Sequence, residues 1–307
     1  MSVSLAEDVA YVRFGAPDLE IMRAFLADFG LSVAQSDSER LFMRGLGAAP
    51  FVHATERGEP GFRAVGVRLA SLAELERLAK HEQAAVTPLD APGGGFVVRL
   101  TEPNGFTVEA VAGQSEAQPQ SIAGETPWND ARSHERLRAV KRIAKGAANV
   151  VRLGHCVLNV SNFRDAEAWW KDRFGLITSD EVQARPDMAI GAFLRCDRGE
   201  TPTDHHTLFL LQSPRGPGFN HAAFEVQDLD DLMRGHNHLG AAGAKPAWGV
   251  GRHVLGSQVF DYWRDPWGHT LEHWTDGDLL TAADGSNVVG VPELLGVQWG
   301  PAMPADF

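Results

Sequence analysis

The sequence is poor in the features that mark a secreted, a membrane-spanning or a nucleic-acid-binding chain. Only two cysteines, Cys156 and Cys196, occur in 307 residues. That is too few for a disulfide framework and is expected of a reducing cytoplasm. No run of 18 apolar residues is present, so no membrane-spanning helix is expected. The opening "MSVSLAEDVAYVRFG" has no basic region followed by an apolar core, so no signal peptide is expected either. Basic charge is in deficit, with a formal net charge of −12, which argues against nucleic acid or an anionic membrane as partner. The first half also lacks histidine: three of the twelve (His53, His81, His134) precede residue 150 and nine follow it. Metal or acid–base chemistry, if present, belongs to the second half.

What is there begins with a composition of 44% hydrophobic and 22% charged residues, that of a soluble globular protein of one large or two ordinary domains. The two halves repeat each other in order. "FLADFGL" (25–31) returns as "WKDRFGL" (170–176), "GFRAVGVRLASLAEL" (61–75) as "GFNHAAFEVQDLDDL" (218–232), and "EPNGFTVEAV" (102–111) as "DPWGHTLEHW" (265–274). Each copy reads as strand, helix, several strands, strand, short helix and a closing hairpin. The two longer helices each end at a glycine suited to a C-cap. "EPNG" and "DPWG" read as tight turns with Pro at the second position. The expected organisation is a first domain over 1–112, a linker and basic helical arm over 113–150, a second domain over 151–275 and a tail over 276–307.

Side chains alternate across a strand. Comparable strand positions of the second copy hold His155, His221 and Glu272. Two imidazoles and a carboxylate suit divalent iron or manganese and leave up to three coordination positions open; a structural zinc is more often closed by four ligands. Any one of these histidines alone reads as a core or surface residue, but three at matching positions read as a site. The first copy places Ala64 opposite His221 and either Ala10 or Tyr11 opposite His155, leaving only Glu109 opposite Glu272. One carboxylate cannot hold the ion, so the first half reads as a structural partner without metal. "DHHTLFLLQ" puts His205 and His206 on opposite faces of a strand. "GRHVLGSQVFDYWRDPWG" adds His253 and Tyr262. His273 faces away from Glu272, His236 and His238 lie on a polar helix and read as surface, and His269 reads as an exposed turn residue. Trp248, Trp263 and Trp267 are near enough in sequence to line an apolar aromatic pocket, or to pack in the core.

"GHCVLNV", "DHHTLFL", "FNHAAFEV" and "RHVLGSQVFDYWRDPWGHTLEHW" resemble, in that order, the type I extradiol ring-cleavage dioxygenases of the vicinal oxygen chelate superfamily, the relatives of catechol 2,3-dioxygenase and 2,3-dihydroxybiphenyl 1,2-dioxygenase. The spacings agree as well: 15 residues from His206 to His221, nine from His253 to Tyr262 and ten from Tyr262 to Glu272. The resemblance covers nearly the whole chain. It implies an α+β fold of two tandem vicinal-oxygen-chelate domains, each built from paired βαβββ modules in an open, barrel-like sheet. It implies Fe(II), with Mn(II) as the alternative, held by His155, His221 and Glu272. His206 would be the acid–base histidine, His253 would lie near the oxygen and a substrate hydroxyl, and Tyr262 would hydrogen-bond a substrate oxygen. The implied activity is extradiol cleavage of a catecholic ring by O₂ in aromatic-compound catabolism, by an enzyme that is a homo-oligomer. Dihydroxybiphenyl-type relatives often carry Asn–Asp where this chain has Leu255 and Gly256, which makes this pocket less polar. Cleavage of a hydroquinone or trihydroxylated ring, and a non-oxidative glyoxalase-like metalloenzyme, are the rival readings.

Overall fold

The computed structural model describes residues 2–122 and 127–305. The first half runs β1 (Ala6–Ala16), α1 (Leu19–Phe29), β2 (Ser32–Ser36), β3 (Arg40–Arg44), β4 (His53–Arg57), β5 (Gly61–Leu69), α2 (Leu72–Glu82), β6 (Thr87–Pro88), β7 (Phe96–Thr101) and β8 (Thr107–Ala112). The second runs β9 (Val150–Val160), α3 (Phe163–Phe174), β10 (Ile177–Arg185), β11 (Met188–Arg195), β12 (Thr203–Asp204), β13 (Leu208–Gln212), β14 (Gly218–Val226), α4 (Leu229–Ala241), β15 (Lys245–His253), β16 (Val259–Arg264) and β17 (Thr270–Thr275). The remainder forms β18 (Leu279–Leu280), β19 (Asn287–Gly290), α5 (Val291–Leu295) and β20 (Val297–Trp299).

The helices form where the sequence supplies both a stripe and its stops. In α1, Leu19, Met22, Phe25, Leu26 and Phe29 are buried at three- and four-residue spacing. Asp18 caps it by accepting from the backbone N–H of Glu20 and Ile21, and Gly30 ends it in the left-handed region. In α3, Asn162 and Gly175 play the same two parts. The tight turns close as expected, with Gly105 N–H donating to Glu102 O at 2.8 Å and Gly268 N–H to Asp265 O at 3.0 Å.

Sheet order confirms the duplication. The first sheet is β2-β3-β4-β1-β5-β8-β7-β6, and the core of the second is β10-β11-β13-β9-β14-β17-β16-β15. In each, the leading strands of two βαβββ modules pair antiparallel at the centre (β1 with β5, β9 with β14), and each also pairs in parallel with its own module's last strand. This is the two-domain α+β architecture of paired modules that the repeats imply. The second sheet has ten strands, because β19 adds in parallel to β10 at one edge and β20 antiparallel to β15 at the other. The segment expected as a tail over 276–307 is thus bound to both edges of the open sheet. It covers backbone groups that would otherwise be unpaired.

The expected helical arm over 113–150 is corrected. Its described residues contain no helix, and residues 123–126 lie outside the described residues. Leu137, Val140 and Ile143, which would have made an apolar stripe, are all exposed. A short helix with no surface to pack against is not stable in water. Instead the stretch is held by local contacts, among them Lys141 Nζ to Asp230 at 2.9 Å and Lys141 over the Trp128 ring.

The two halves are joined through buried groups. Leu46 and Gly47 donate backbone N–H to the carbonyls of Val150 and Val151 at 2.8 and 3.0 Å. His273 on β17 faces away from Glu272, as expected, and crosses to the first half. Its ring stacks on Phe29 with centroids 3.9 Å apart, and Nε2–H donates to Phe29 O at 2.7 Å. Burial drives its pKa down to about 4, despite the opposing pull of the Phe29 carbonyl and Glu272. His53 is buried against Phe14 and is driven down to about 3, again by burial. Below pH 6.5 the unfolded chain binds protons that these folded-state imidazoles refuse. Stability should therefore fall as pH drops from 6.5 towards 4, by about 1.4 kcal/mol per pH unit for each histidine. His273→Gln should cost about 1–3 kcal/mol at pH 7 by loss of stacking and bonding, and should flatten the slope by one histidine. Urea unfolding of both proteins at pH 6.5, 5.75 and 5 measures it.

Candidate metal centre

The site is built on one row across four adjacent strands. His155 on β9 pairs with Ala223 on β14, Ala223 with Glu272 on β17, and Glu272 with Tyr262 on β16. His221 stands two residues before Ala223 on the same face. Because Ala223 carries only a methyl group, the side chains on either side of it can converge above it. His155 Nε2 and His221 Nε2 each lie 3.3 Å from Glu272 Oε2, and one ligand atom from each of the three residues falls within 4.8 Å of the others. They are the three residues the repeat comparison picked out.

The donor set fits a divalent ion. Glu272 is fully buried, and neither of its oxygens makes a hydrogen bond. Burial by itself would raise its pKa, but the imidazoles of His155 and His221 outweigh that and hold it far below the usual carboxylate range. Two imidazole nitrogens 3.3 Å from an oxygen of a fully buried carboxylate form a donor set that a divalent ion would suit. His221 Nδ1–H donates to Asn220 Oδ1 at 2.7 Å, which leaves Nε2 to the site. Asn220 carries no signal in a single sequence beyond its place beside His221.

The first half settles which residue matches His155. Tyr11 pairs with Gly66, and Gly66 with Glu109, so Tyr11 and not Ala10 occupies the position. Arg99 faces Glu109 where Tyr262 faces Glu272. Tyr11 O–H donates to Glu109 at 2.7 Å, Arg13 Nη2 at 3.0 Å and Arg99 Nε at 2.9 Å. Both oxygens of Glu109 are engaged by groups of the same half. A Cβ on Gly66 would sit 2.7 Å from the Tyr11 ring, so glycine is what admits that ring.

Around the triple lies a cavity of about 170 Å³. Its walls include Val157, Phe193, Phe209, Leu211, Trp248 and Leu255, and the C-terminal segment adds Leu294, Leu295 and Met303. The cavity is lined on its polar side by His155, His206, His221, His253 and Tyr262; Glu272 is not part of the lining but lies 3.3 Å from both His155 and His221, so the six residues named from sequence meet at one place. His253 Nε2 and the Tyr262 hydroxyl are 2.9 Å apart. Burial lowers His253 to about 4, whereas burial and the Glu272 charge raise Tyr262 well above 10, so at neutral pH the pair is an uncharged imidazole and a phenol. His206 is held well below its ordinary pKa, by burial first and then by His155, His205, His221 and His253. It too is neutral, in the basic form.

Several expectations are revised. His205 and His206 do not lie on opposite faces of a strand. They occupy the connection between β12 and β13, and both rings are buried with Nδ1 atoms 3.1 Å apart. Of the three tryptophans only Trp248 lines the cavity. Trp263 is buried and donates to Asp261 at 2.6 Å, and Trp267 packs on the core. His269 is not exposed: it bonds to Asp265 at 2.8 Å and its ring packs on Phe14. His236 is half-buried against Asp261, and His238 pairs with Asp28 of the first half at 2.9 Å. The part played by the C-terminal residues could not be read from their sequence, because their contacts depend on where the sheet edges lie.

Substituting Ala223 tests the convergence. Ala223→Leu places a branched side chain between His155 and Glu272 and should remove most bound divalent metal. Glu272→Gln should do the same by removing the charge. Metal content after dialysis, read against circular dichroism to verify folding, measures both.

Residues 152–273 match the model of the Glyoxalase/Bleomycin resistance protein/Dioxygenase superfamily. Over 298 residues the chain is 28% identical to "Metapyrocatechase 2" of Cupriavidus necator, covering 95% of this chain and 88% of that protein. The fold is similar to the Mn(II)-bound glyoxalase from Novosphingobium aromaticivorans (TM-score 0.81, 24% identity, 99% of this chain and 94% of that one). It is equally similar to homoprotocatechuate 2,3-dioxygenase from Brevibacterium fuscum, solved with 3,4-dihydroxyphenylacetate (TM-score 0.81, 18% identity, 99% and 92%). Among the described residues no helix is long and apolar enough to cross a membrane. The second half of the chain thus matches the glyoxalase/bleomycin resistance protein/dioxygenase superfamily, and the chain has, over nearly its whole length, a tandem fold similar to that of solved extradiol dioxygenases.

Proposed function

We propose that the protein is a cytoplasmic, Fe(II)-dependent extradiol dioxygenase that opens a catecholic ring beside its two hydroxyls and places both atoms of O₂ in the product. The observation that carries this is the convergence of His155, His221 and Glu272 beside an apolar cavity that the two histidines line together with His206, His253 and Tyr262. The likeness to "Metapyrocatechase 2" supports it. Mn(II) would suit the same ligands.

In this reading His155, His221 and Glu272 hold the ion and leave its cavity side open. A redox-active divalent ion there supplies coordination for catechol oxygens and for O₂, and a route for electrons between them. Neutral His206 would accept a hydroxyl proton from the substrate and hold it for return to the product. The Tyr262–His253 pair bonds a substrate oxygen and fixes the ring's orientation. Val157, Phe209, Leu255 and Leu294 exclude water from the reacting atoms. The first half would bind no metal, since Glu109 is already neutralised by Arg13 and Arg99. This also weighs against a glyoxalase-like site that draws carboxylates from both halves.

The cavity sets the preferred ring. A volume of about 170 Å³ is near the roughly 150 Å³ that admits a benzene ring, and among the described residues no lysine or arginine lines it. A substituent carboxylate would be desolvated there without a cation, which costs several kcal/mol. Catechols with a small uncharged substituent should exceed carboxylated ones by at least about 10-fold in kcat/KM. Anaerobic purification, Fe(II) loading and a panel of catechols, hydroquinones and trihydroxybenzenes, followed by O₂ uptake and the yellow ring-opened product, tests the function. No uptake with any of them would sink it. His206→Ala should retain its metal and lose about 10²–10⁴-fold in kcat.

A further inference from the structure

Behind His206, away from the candidate ligands, lies a chain of three polar residues outside the cavity lining. His205 Nδ1 is 3.1 Å from His206 Nδ1, and His205 Nε2 is 2.7 Å from Asp180 Oδ2. Asp180 Oδ1 accepts from the side-chain amide of Asn287 at 3.0 Å. His205 and Asp180 are each 5% exposed. The backbone locks His205 as well: its carbonyl accepts from Ser179 Oγ–H at 2.5 Å and its N–H donates to Asp278 O at 2.9 Å. Gly256, in the left-handed region at φ 72°, packs against the His205 ring. A Cβ there would lie 3.0 Å from Nδ1, so glycine leaves the ring its place.

These contacts have a direction. Burial opposes ionisation of Asp180, but the hydrogen bonds from His205 and Asn287 outweigh it and hold the group below its usual range, as a carboxylate. A carboxylate only accepts, so the Nε2 of His205 must carry the hydrogen. In the neutral ring Nδ1 is then a lone pair, and the Nδ1 of His206 must be the donor to it. The His206 ring lines the cavity, and with Nδ1 occupied its Nε2 is the nitrogen left to the cavity, unprotonated.

We propose that Asp180 and His205 are positioning residues that hold His206 in the Nδ1–H tautomer, so that its Nε2 faces the cavity as a proton acceptor. The inference rests on the reading of His206 as the acid–base residue. Its geometry, however, can be tested without turnover. Free histidine favours the opposite, Nε2–H tautomer, so the arrangement leaves a distinct signature.

The test is long-range ¹H–¹⁵N correlation on the metal-free, ¹⁵N-histidine-labelled full chain, with His206 assigned by its loss in His206→Gln. The wild type should show His206 protonated at Nδ1 and bare at Nε2; a proton on Nε2 overturns the proposal. Asp180→Asn should reverse the chain. Its single oxygen accepts from Asn287, its amide donates to His205 Nε2, His205 Nδ1–H donates to His206, and the His206 proton moves to Nε2. In the Fe(II)-loaded variant kcat should fall about 10–100-fold with KM nearly unchanged. The swap Asp180→Asn/Asn287→Asp restores an acceptor oxygen towards His205, and should restore both the Nδ1–H tautomer and at least about 10-fold of the lost kcat, which a merely structural defect would not do. If Asp180→Asn leaves the His206 tautomer unchanged, or if the swap does not restore it, the positioning role is wrong. If the tautomer reverses and restores as expected while kcat stays constant, the positioning stands and the acid–base reading of His206 fails. Should Asp180→Asn not fold, the wild-type tautomer alone still decides.

Discussion

A carboxylate with no access to water has to be compensated where it stands, and this fold places one at the same point of each half. Glu109 and Glu272 occupy matching positions on matching strands, and both are buried. An isolated buried anion would be severely destabilising. The first half answers with Tyr11, Arg13 and Arg99, which fill the space over Gly66 with permanent positive charge and a phenol. The second half answers with His155, His221 and the small Ala223, which leave room and lone pairs for a divalent cation. The two solutions exclude each other: guanidinium groups over the carboxylate repel the ion that imidazoles attract.

That division of labour organises what surrounds it. The first half is free to act as scaffold, and it anchors the second through groups such as His273 on Phe29. The second half's sheet is bound at both edges by the C-terminal segment, through β19 on β10 and β20 on β15. Leu294, Leu295 and Met303 therefore belong to the cavity although they stand far from the ligands in sequence. A cavity walled by apolar side chains, with the candidate ligands and neutral His206, His253 and Tyr262 beside it, is suited to chemistry that must control protons and keep bulk water out.

Much of this is legible in the sequence. The duplication showed in three ordered segment pairs, and it turned single histidines into a pattern. His155, His221 and Glu272 could be named because strand periodicity and the repeat both pointed to them. The helices announced themselves by Asp18 and Gly30, Asn162 and Gly175. Other readings failed for physical reasons. The basic stretch after residue 127 has charge and helical periodicity but nothing to pack on, and periodicity alone does not fold a short helix. His205 and His206 looked like alternating strand residues, but the ladder stops short of them. His269 looked exposed because turns usually are; the Phe14 ring from the other half covers it. Trp263 lay close to the motif in sequence yet faces the core, since neighbouring strand positions point to opposite sides, and Trp267, in the turn before β17, packs on the core as well.

The sequence by itself determined the tandem repeat, the inequality of the halves and the set His155, His221 and Glu272 that the strands bring together, because these depend on residue identity at a repeating period. Only the tertiary structure decided that Tyr11 is the counterpart of His155, that Asp180 stands behind His205, and that the C-terminal segment finishes the cavity. Each of those is a contact between segments distant in sequence, set by strand order and register across the sheet, and a local pattern contains no record of either.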